Sequence, residues 1–154
     1  SSVKWKSCIN FYFETDKKSL RNGVIGLLPG NNTVINNIFF VSGIKSRING
    51  LKQLLSVTVI DSKSFSNADL IDRVKYELKR YCGINVIRLI SQFNILKSLP
   101  DLHNISYTKI PSEFQISDSI FLAGDHELNP SLNAAITSGE MSALQLIKVD
   151  KLNN

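Results

Sequence analysis

Alternation of apolar and polar residues over the first sixty positions is the feature that most restricts the fold of this chain. In the first segment the side chains of Trp5, Ile9, Phe11 and Phe13 fall on one face, which is typical of a half-buried strand. Four segments carry strand patterns, at residues 3–14, 24–28, 35–41 and 54–60. Short strands at this spacing, separated by polar turns and a loop at 42–50, predict a mostly antiparallel sheet.

The pattern changes to helical spacing after residue 65. Ser66 and Asp69 stand at the spacing of a capping box, with Asp in place of the usual Glu or Gln, and Gly83 suits the position just past a helix. The apolar residues between them recur every three or four positions: Leu70, Ile71, Val74, Leu78 and Tyr81. We therefore expect an amphipathic helix over 67–82 and a further strand over 85–97.

An irregular segment is expected over 98–117, followed by a short apolar strand at 119–123 that ends at Gly124 and Asp125. A helix is then predicted from Ser131. Its apolar and small residues form one stripe: Leu132, Ala135, Ile136, Gly139, Ala143, Leu146 and Ile147. The N–H groups at the start of this helix favour an anionic ligand group, and an ionised Asp125 suits a ligand hydroxyl. The alternative is that Asp125 only caps the turn and Ser131 only caps the helix.

Composition excludes several classes of protein. The 154 residues suit one domain, and 43% hydrophobic with 20% charged residues does not match a disordered chain. No apolar run has the roughly 20 residues of a membrane helix. Two cysteines, Cys8 and Cys82, are too few for a disulfide scaffold or a four-cysteine zinc site. No signal peptide is visible, and we expect a cytoplasmic protein.

The net charge of +5 is unevenly distributed. Residues 1–80 hold thirteen Lys and Arg against six Asp and Glu, whereas residues 81–154 hold five against seven. A basic half is compatible with nucleic-acid binding, but the basic residues are scattered and form no recognised module, so a solvated surface is the preferred interpretation. We expect no nucleic-acid partner. We also expect no metal site, because His103 has no ligand partner at a recognised spacing.

Residues 121–125 (Phe-Leu-Ala-Gly-Asp) and 129–139 (Asn-Pro-Ser-Leu-Asn-Ala-Ala-Ile-Thr-Ser-Gly) resemble the C-terminal flavin-binding motif of flavin-containing amine oxidases and phytoene desaturases. Residues 95–100 are similar to the family's Ile-Pro-x-Ala-Leu-Pro segment near the substrate cavity, with Leu96 and Ser98 in place of its Pro and Ala. The strands near 36–42 and 54–59 resemble sheet strands of the same family. Its Gly-x-Gly-x-x-Gly loop, which holds the ADP half of FAD, is absent from this sequence.

The resemblance implies the C-terminal part of an FAD-dependent oxidoreductase with an α+β fold, an α/β fragment of the parent. Residues 1–118 would form a mostly antiparallel, substrate-domain-like sheet with one helix. Residues 119–154 would form the last strand and helix of a Rossmann-like FAD-binding domain. The implied cofactor-binding residues are Gly124, Asp125, Ser131, Leu132, Asn133 and Ala134.

In this scheme Asp125 holds a ribitol hydroxyl, and the N–H groups at 132–134 stabilise negative charge at flavin N1 and O2. The implied reaction transfers a hydride from a C–H bond of an apolar or amine substrate to FAD, and no catalytic residue is assigned. The expected partners are a small-molecule substrate, the missing N-terminal FAD-binding part, and further copies of the chain through exposed apolar surface. The chain alone is expected to be inactive.

Two alternatives stay open at this point. The chain could be a non-enzymatic binding module, basic in its first half, that kept the scaffold without the cofactor. His126 follows Asp125 directly, so it could contact flavin or substrate, although a solvated loop histidine is the preferred interpretation.

Overall fold

The computed structural model describes residues 3–17, 19–21, 23–28, 32–44, 53–60 and 65–153. The chain divides into two compact units, one formed by Ser7–Leu96 and the other by Ser1–Lys6 with Lys97–Asn154. The boundary predicted between residues 118 and 119 concerns the domains of a larger flavoprotein, and it stays a prediction. Among the residues described, no helix combines the length and apolar character needed to cross a membrane.

In the described part of the chain five strands form one sheet, which confirms the antiparallel sheet and the α+β class expected from the alternation. The strands are β1 (Trp5–Thr15), β2 (Ile25–Leu27), β3 (Ile35–Phe40), β4 (Gln53–Ile60) and β5 (Val86–Pro100). Their order across the sheet is β2-β3-β4-β1-β5, and the pairs β1/β4, β2/β3 and β3/β4 are antiparallel. The predicted loop at 42–50 begins with a 3₁₀ turn at Val41–Gly43, and its residues 45–50 lie outside the described residues.

The inward faces of these strands form the core of the larger unit. Phe11 lies opposite Val57 and Phe13 opposite Leu55, and all four are fully buried. Period-two alternation puts such residues on one face of the pleat, so this part of the pattern prediction is confirmed. Trp5, predicted on the same face, is 41% exposed and lies 6.0 Å from the Lys97 ammonium in a cation–π contact. The burial of β1 therefore begins only toward its middle.

Helix α1 (Asn67–Cys82) has the predicted bounds. Ser66 accepts a hydrogen bond from the Asp69 N–H at 3.2 Å, which satisfies a donor that the helix itself cannot pair. At the other end Gly83 adopts the left-handed conformation (φ 63°), and the N–H of Ile84 reaches the Leu78 carbonyl at 3.1 Å. The buried residues Leu70, Val74 and Leu78 belong to the sheet core, so α1 covers one face of the sheet.

A buried carboxylate on α1 fixes the start of β3. Glu77, which is fully buried, accepts hydrogen bonds from the backbone N–H groups of Val34 and Ile35, each at 3.1 Å. Arg73, one turn earlier, donates to Glu77 at 2.7 Å and to the Asn32 carbonyl at 2.7 Å. The charge is thus paired and both backbone donors are satisfied, which is the condition for burying a carboxylate without a large penalty. The sequence pattern did not indicate this clamp.

The segment after β5 is more ordered than expected. The strand continues to Pro100, a 3₁₀ turn forms at Pro111–Phe114, and β6 (Gln115–Ser117) pairs antiparallel with β7 (Ile120–Phe121). Helix α2 (Leu132–Asn153) follows. A second, small core contains Phe114, Leu128 and Ala134, with Met141 packed against it. The strand and helix predicted after residue 118 are present, while their membership of a Rossmann-like domain stays a prediction.

Candidate functional site

The predicted site begins at Gly124, three residues after the end of β7. Gly124 has φ 144° and ψ 164°, a region that side chains other than hydrogen rarely allow. A Cβ atom built at this position would lie 2.5 Å from His126 Nδ1. Glycine is therefore required here both by the backbone and by the imidazole that packs over it.

Two serines of α2 hold this turn in place. The Ser138 hydroxyl accepts a hydrogen bond from the Gly124 N–H at 2.8 Å and lies 2.9 Å from the Gly124 carbonyl. One turn further along, the Ser142 hydroxyl donates to the Leu122 carbonyl. Both serines are buried, so their hydroxyls replace water for backbone groups that would otherwise be unpaired. Ser138, the serine of the motif's Ser-Gly pair, thus has a structural role, because it holds the Gly124 turn against α2.

Asp125 begins a 3₁₀ turn at Asp125–Glu127, in which the Leu128 N–H reaches the Asp125 carbonyl at 3.2 Å. Its side chain is half-buried, and within the described part of the chain no group hydrogen-bonds to its carboxylate. Side-chain capping by Asp125, the alternative considered from the sequence, is not seen in this geometry. The carboxylate is consequently available to an external hydroxyl donor.

The other four predicted residues form the first turn of α2. The Ser131 hydroxyl accepts from the Ala134 N–H at 3.1 Å and donates to the Asn129 side-chain oxygen at 2.7 Å. Ser131 is therefore the helix cap, as the structural alternative proposed, and the Ala134 N–H is already paired. Among the described contacts, the N–H groups of Leu132 and Asn133 have no acceptor, so they are the donors that a ligand could meet.

The face of α2 that packs is not the stripe expected from hydropathy. The stripe residues Leu132, Ile136, Leu146 and Ile147 are more than half exposed. At Gly139, also in this stripe, an added Cβ would have no neighbour within 4 Å outside the adjacent helix backbone. The residues that pack lie at helical spacing on another face: Ala134, Ser138, Met141, Ser142 and Gln145. The repeat of small residues at 134, 138 and 142 is the signal that could have identified this face.

Both histidines, His103 and His126, line one pocket of about 550 Å³ in the smaller unit. The pocket contains none of the six predicted cofactor-binding residues. His126 Nε2 lies 3.3 Å from a Glu127 oxygen, so the interpretation of His126 as a purely solvated loop residue is incomplete. Within the described residues, no group of three or more His, Cys, Asp or Glu side chains is arranged to hold a metal ion.

Cys82, the last residue of α1, is a weakly reactive cysteine. Cys82 is a free thiol of intermediate exposure, and Cys8 is exposed to a similar degree. Burial raises the pKa of the Cys82 thiol. Because the thiolate is the nucleophile, a raised pKa keeps this side chain in its unreactive form at neutral pH.

The likeness of the C-terminal segment to flavoproteins rests on its motif alone. No protein-family model matches the chain, and no curated protein matches its sequence.

Proposed function

We propose that this chain is the C-terminal part of a cytoplasmic FAD-dependent oxidoreductase similar to phytoene desaturases and flavin-containing amine oxidases. The motif from Phe121 to Gly139 supports the proposal. The observation that carries it is the half-buried Asp125 carboxylate, which follows a strained glycine and has no hydrogen-bond partner among the described residues. A carboxylate without a hydrogen-bond partner in the described part of the chain suits a hydroxyl-rich ligand such as the ribitol chain of FAD.

The residues of the chain would bind and orient the cofactor. Asp125 would accept a hydrogen bond from a ribitol hydroxyl. The N–H groups of Leu132 and Asn133, at the positive end of α2, would face the N1 and O2 atoms of the flavin and favour negative charge there. Ser138 would keep the Gly124 turn in register with the helix. When bound, FAD supplies the acceptor for a hydride from a C–H bond of an apolar or amine substrate.

The ADP half of FAD would be bound by an N-terminal part of the same parent protein. A reading frame upstream of this chain that encodes a strand, a Gly-x-Gly-x-x-Gly loop and a helix is the expected genomic finding. The apolar residues exposed on α2, among them Leu132 and Ile136, offer surface for that part or for a second copy of the chain. A reading frame without such a loop would favour the non-enzymatic binding module.

The isolated 154-residue chain is expected not to retain FAD. It lacks a glycine-rich phosphate loop, and contacts to the flavin end alone seldom offset the entropy lost on association. The test is the absorption spectrum of the purified chain after incubation with FAD and removal of free cofactor. A stoichiometric flavin spectrum would contradict the expectation, whereas the parent protein in the same procedure should be yellow.

In the parent protein, Asp125→Ala should weaken FAD binding by roughly tenfold to a hundredfold. A hydrogen bond to a charged group contributes about 1.5–3 kcal/mol, and about 1.4 kcal/mol corresponds to a factor of ten. Asp125→Asn keeps an acceptor oxygen and should lose less affinity for FAD. Titration of the apo parent with FAD gives the affinities, with Glu140→Ala on the exposed side of α2 as the control. If Asp125→Ala binds FAD as tightly as the control, Asp125 has only a local role in its turn.

A further inference from the structure

The pocket in the smaller unit has the size of a small-molecule site. Its volume of about 550 Å³ lies within the range of roughly 300–1,000 Å³ that such sites occupy. Apolar side chains of Leu102, Ile116 and Leu122 line part of it. Leu102 and Leu122 are half-buried and Ile116 is exposed, so a ligand that contacts all three would cover apolar surface that now meets water.

The two carboxylates that line the pocket already have basic partners. Asp101 is 3.3 Å from Lys6 Nζ, and Glu127 is 3.2 Å from Lys109 Nζ. Glu127 also lies 3.3 Å from His126 Nε2, and its side chain is only 12% exposed. These acidic groups therefore present little uncompensated negative charge to a ligand.

Two basic lining residues have no such partner. Within the described part of the chain, neither the Lys4 ammonium nor the His103 imidazole hydrogen-bonds or forms an ion pair with another group. The backbone of Lys4 is fixed, because its carbonyl accepts from the Asp101 N–H at 2.8 Å. The pocket thus offers the three donors of the Lys4 ammonium and at least one ring N–H donor of His103.

We propose that this pocket binds a small amphipathic anion. A single carboxylate or phosphate group would meet Lys4 and His103, and an apolar body would lie against Leu102, Ile116 and Leu122. Opposite charge and apolar contact would together select such a ligand over a neutral one of the same shape. None of the six residues proposed to contact FAD lines this pocket.

Three probes of equal chain length test the proposal on the isolated chain: hexanoate, hexyl phosphate and 1-hexanol. Titration followed by amide chemical shifts should show saturable shifts at Leu102, Ile116 and Leu122 with at least one anion. Binding of 1-hexanol should be about tenfold weaker, as expected for loss of a charged contact. Tighter binding of hexyl phosphate than of hexanoate identifies a phosphate site, and tighter binding of hexanoate identifies a carboxylate site.

The variant Lys4→Met/His103→Gln should bind the preferred anion about tenfold more weakly and leave 1-hexanol binding unchanged, because exposed polar contacts to an anion contribute about 1 kcal/mol or less each. Lys148→Met on α2, which does not line the pocket, is the matched control and should bind as the unaltered chain does. Equal binding of 1-hexanol and both anions, an unaffected double variant, or the absence of saturation would each overturn the proposal.

Discussion

Glu77→Ala is expected to lower the free energy of unfolding by about 3–5 kcal/mol. The change leaves the N–H groups of Val34 and Ile35 without an acceptor inside the protein and removes the partner of Arg73. Each unpaired buried donor costs about 1–3 kcal/mol, and breaking one side of a buried ion pair has effects of the size predicted here. Urea denaturation of the purified chain gives the free energy directly.

A neighbouring acid on the same helix separates this effect from a general loss of charge. The Asp72 carboxylate is 78% exposed and lies 3.4 Å from Lys75 Nζ, so Asp72→Asn should change stability by less than about 0.5 kcal/mol. Glu77→Gln keeps one acceptor oxygen, so its loss of unfolding free energy should lie between those of Glu77→Ala and Asp72→Asn. If Glu77→Ala unfolds at the same urea concentration as Asp72→Asn, the clamp does not stabilise the start of β3.

The larger unit shows which features local sequence patterns can predict. The bounds of α1 follow from chemistry within a few residues of each end, namely the Ser66 cap and the left-handed Gly83. The burial of Phe11 and Phe13 follows from alternation. Local patterns do not predict the hydrogen bonds of Glu77, because its partners at 34 and 35 are more than forty residues away in the sequence. Its position seven residues after Leu70 does place it on the buried stripe.

In the smaller unit, the hydropathy pattern does not predict which face of α2 packs. The helix itself was predicted, but its packing face is built from serines whose hydroxyls pair with backbone groups of residues 122–124. A hydropathy pattern counts these side chains as polar and assigns them to solvent. Local patterns also do not predict contacts between residues that are far apart in the sequence. Examples are the ion pair of Lys6 with Asp101 and the pocket that His103 and His126 both line. Of the six predicted site residues, Gly124 and Ser131 have local structural reasons to be present, and flavin binding by all six stays a prediction.

Gly124→Ala is the second substitution with a large expected effect, a loss of about 2–3 kcal/mol in unfolding free energy. The backbone angles of φ 144° and ψ 164° are costly for any residue with a Cβ, by about 1–3 kcal/mol. The new methyl group would also meet His126 Nδ1, which lies 2.5 Å from the Cβ position. Urea denaturation of the chain measures the loss.

Gly139→Ala provides the opposite expectation on the same segment. Its Cβ has no neighbour within 4 Å and its position is inside α2, so alanine should stabilise the chain by about 0.5–1 kcal/mol. A double-mutant cycle with His126→Ala then divides the effect at Gly124. If the imidazole contributes, Gly124→Ala should cost at least about 0.5 kcal/mol less in the His126→Ala background. An equal cost in both backgrounds would assign the whole effect to the backbone, and no cost in either would mean that residue 124 does not need a positive φ.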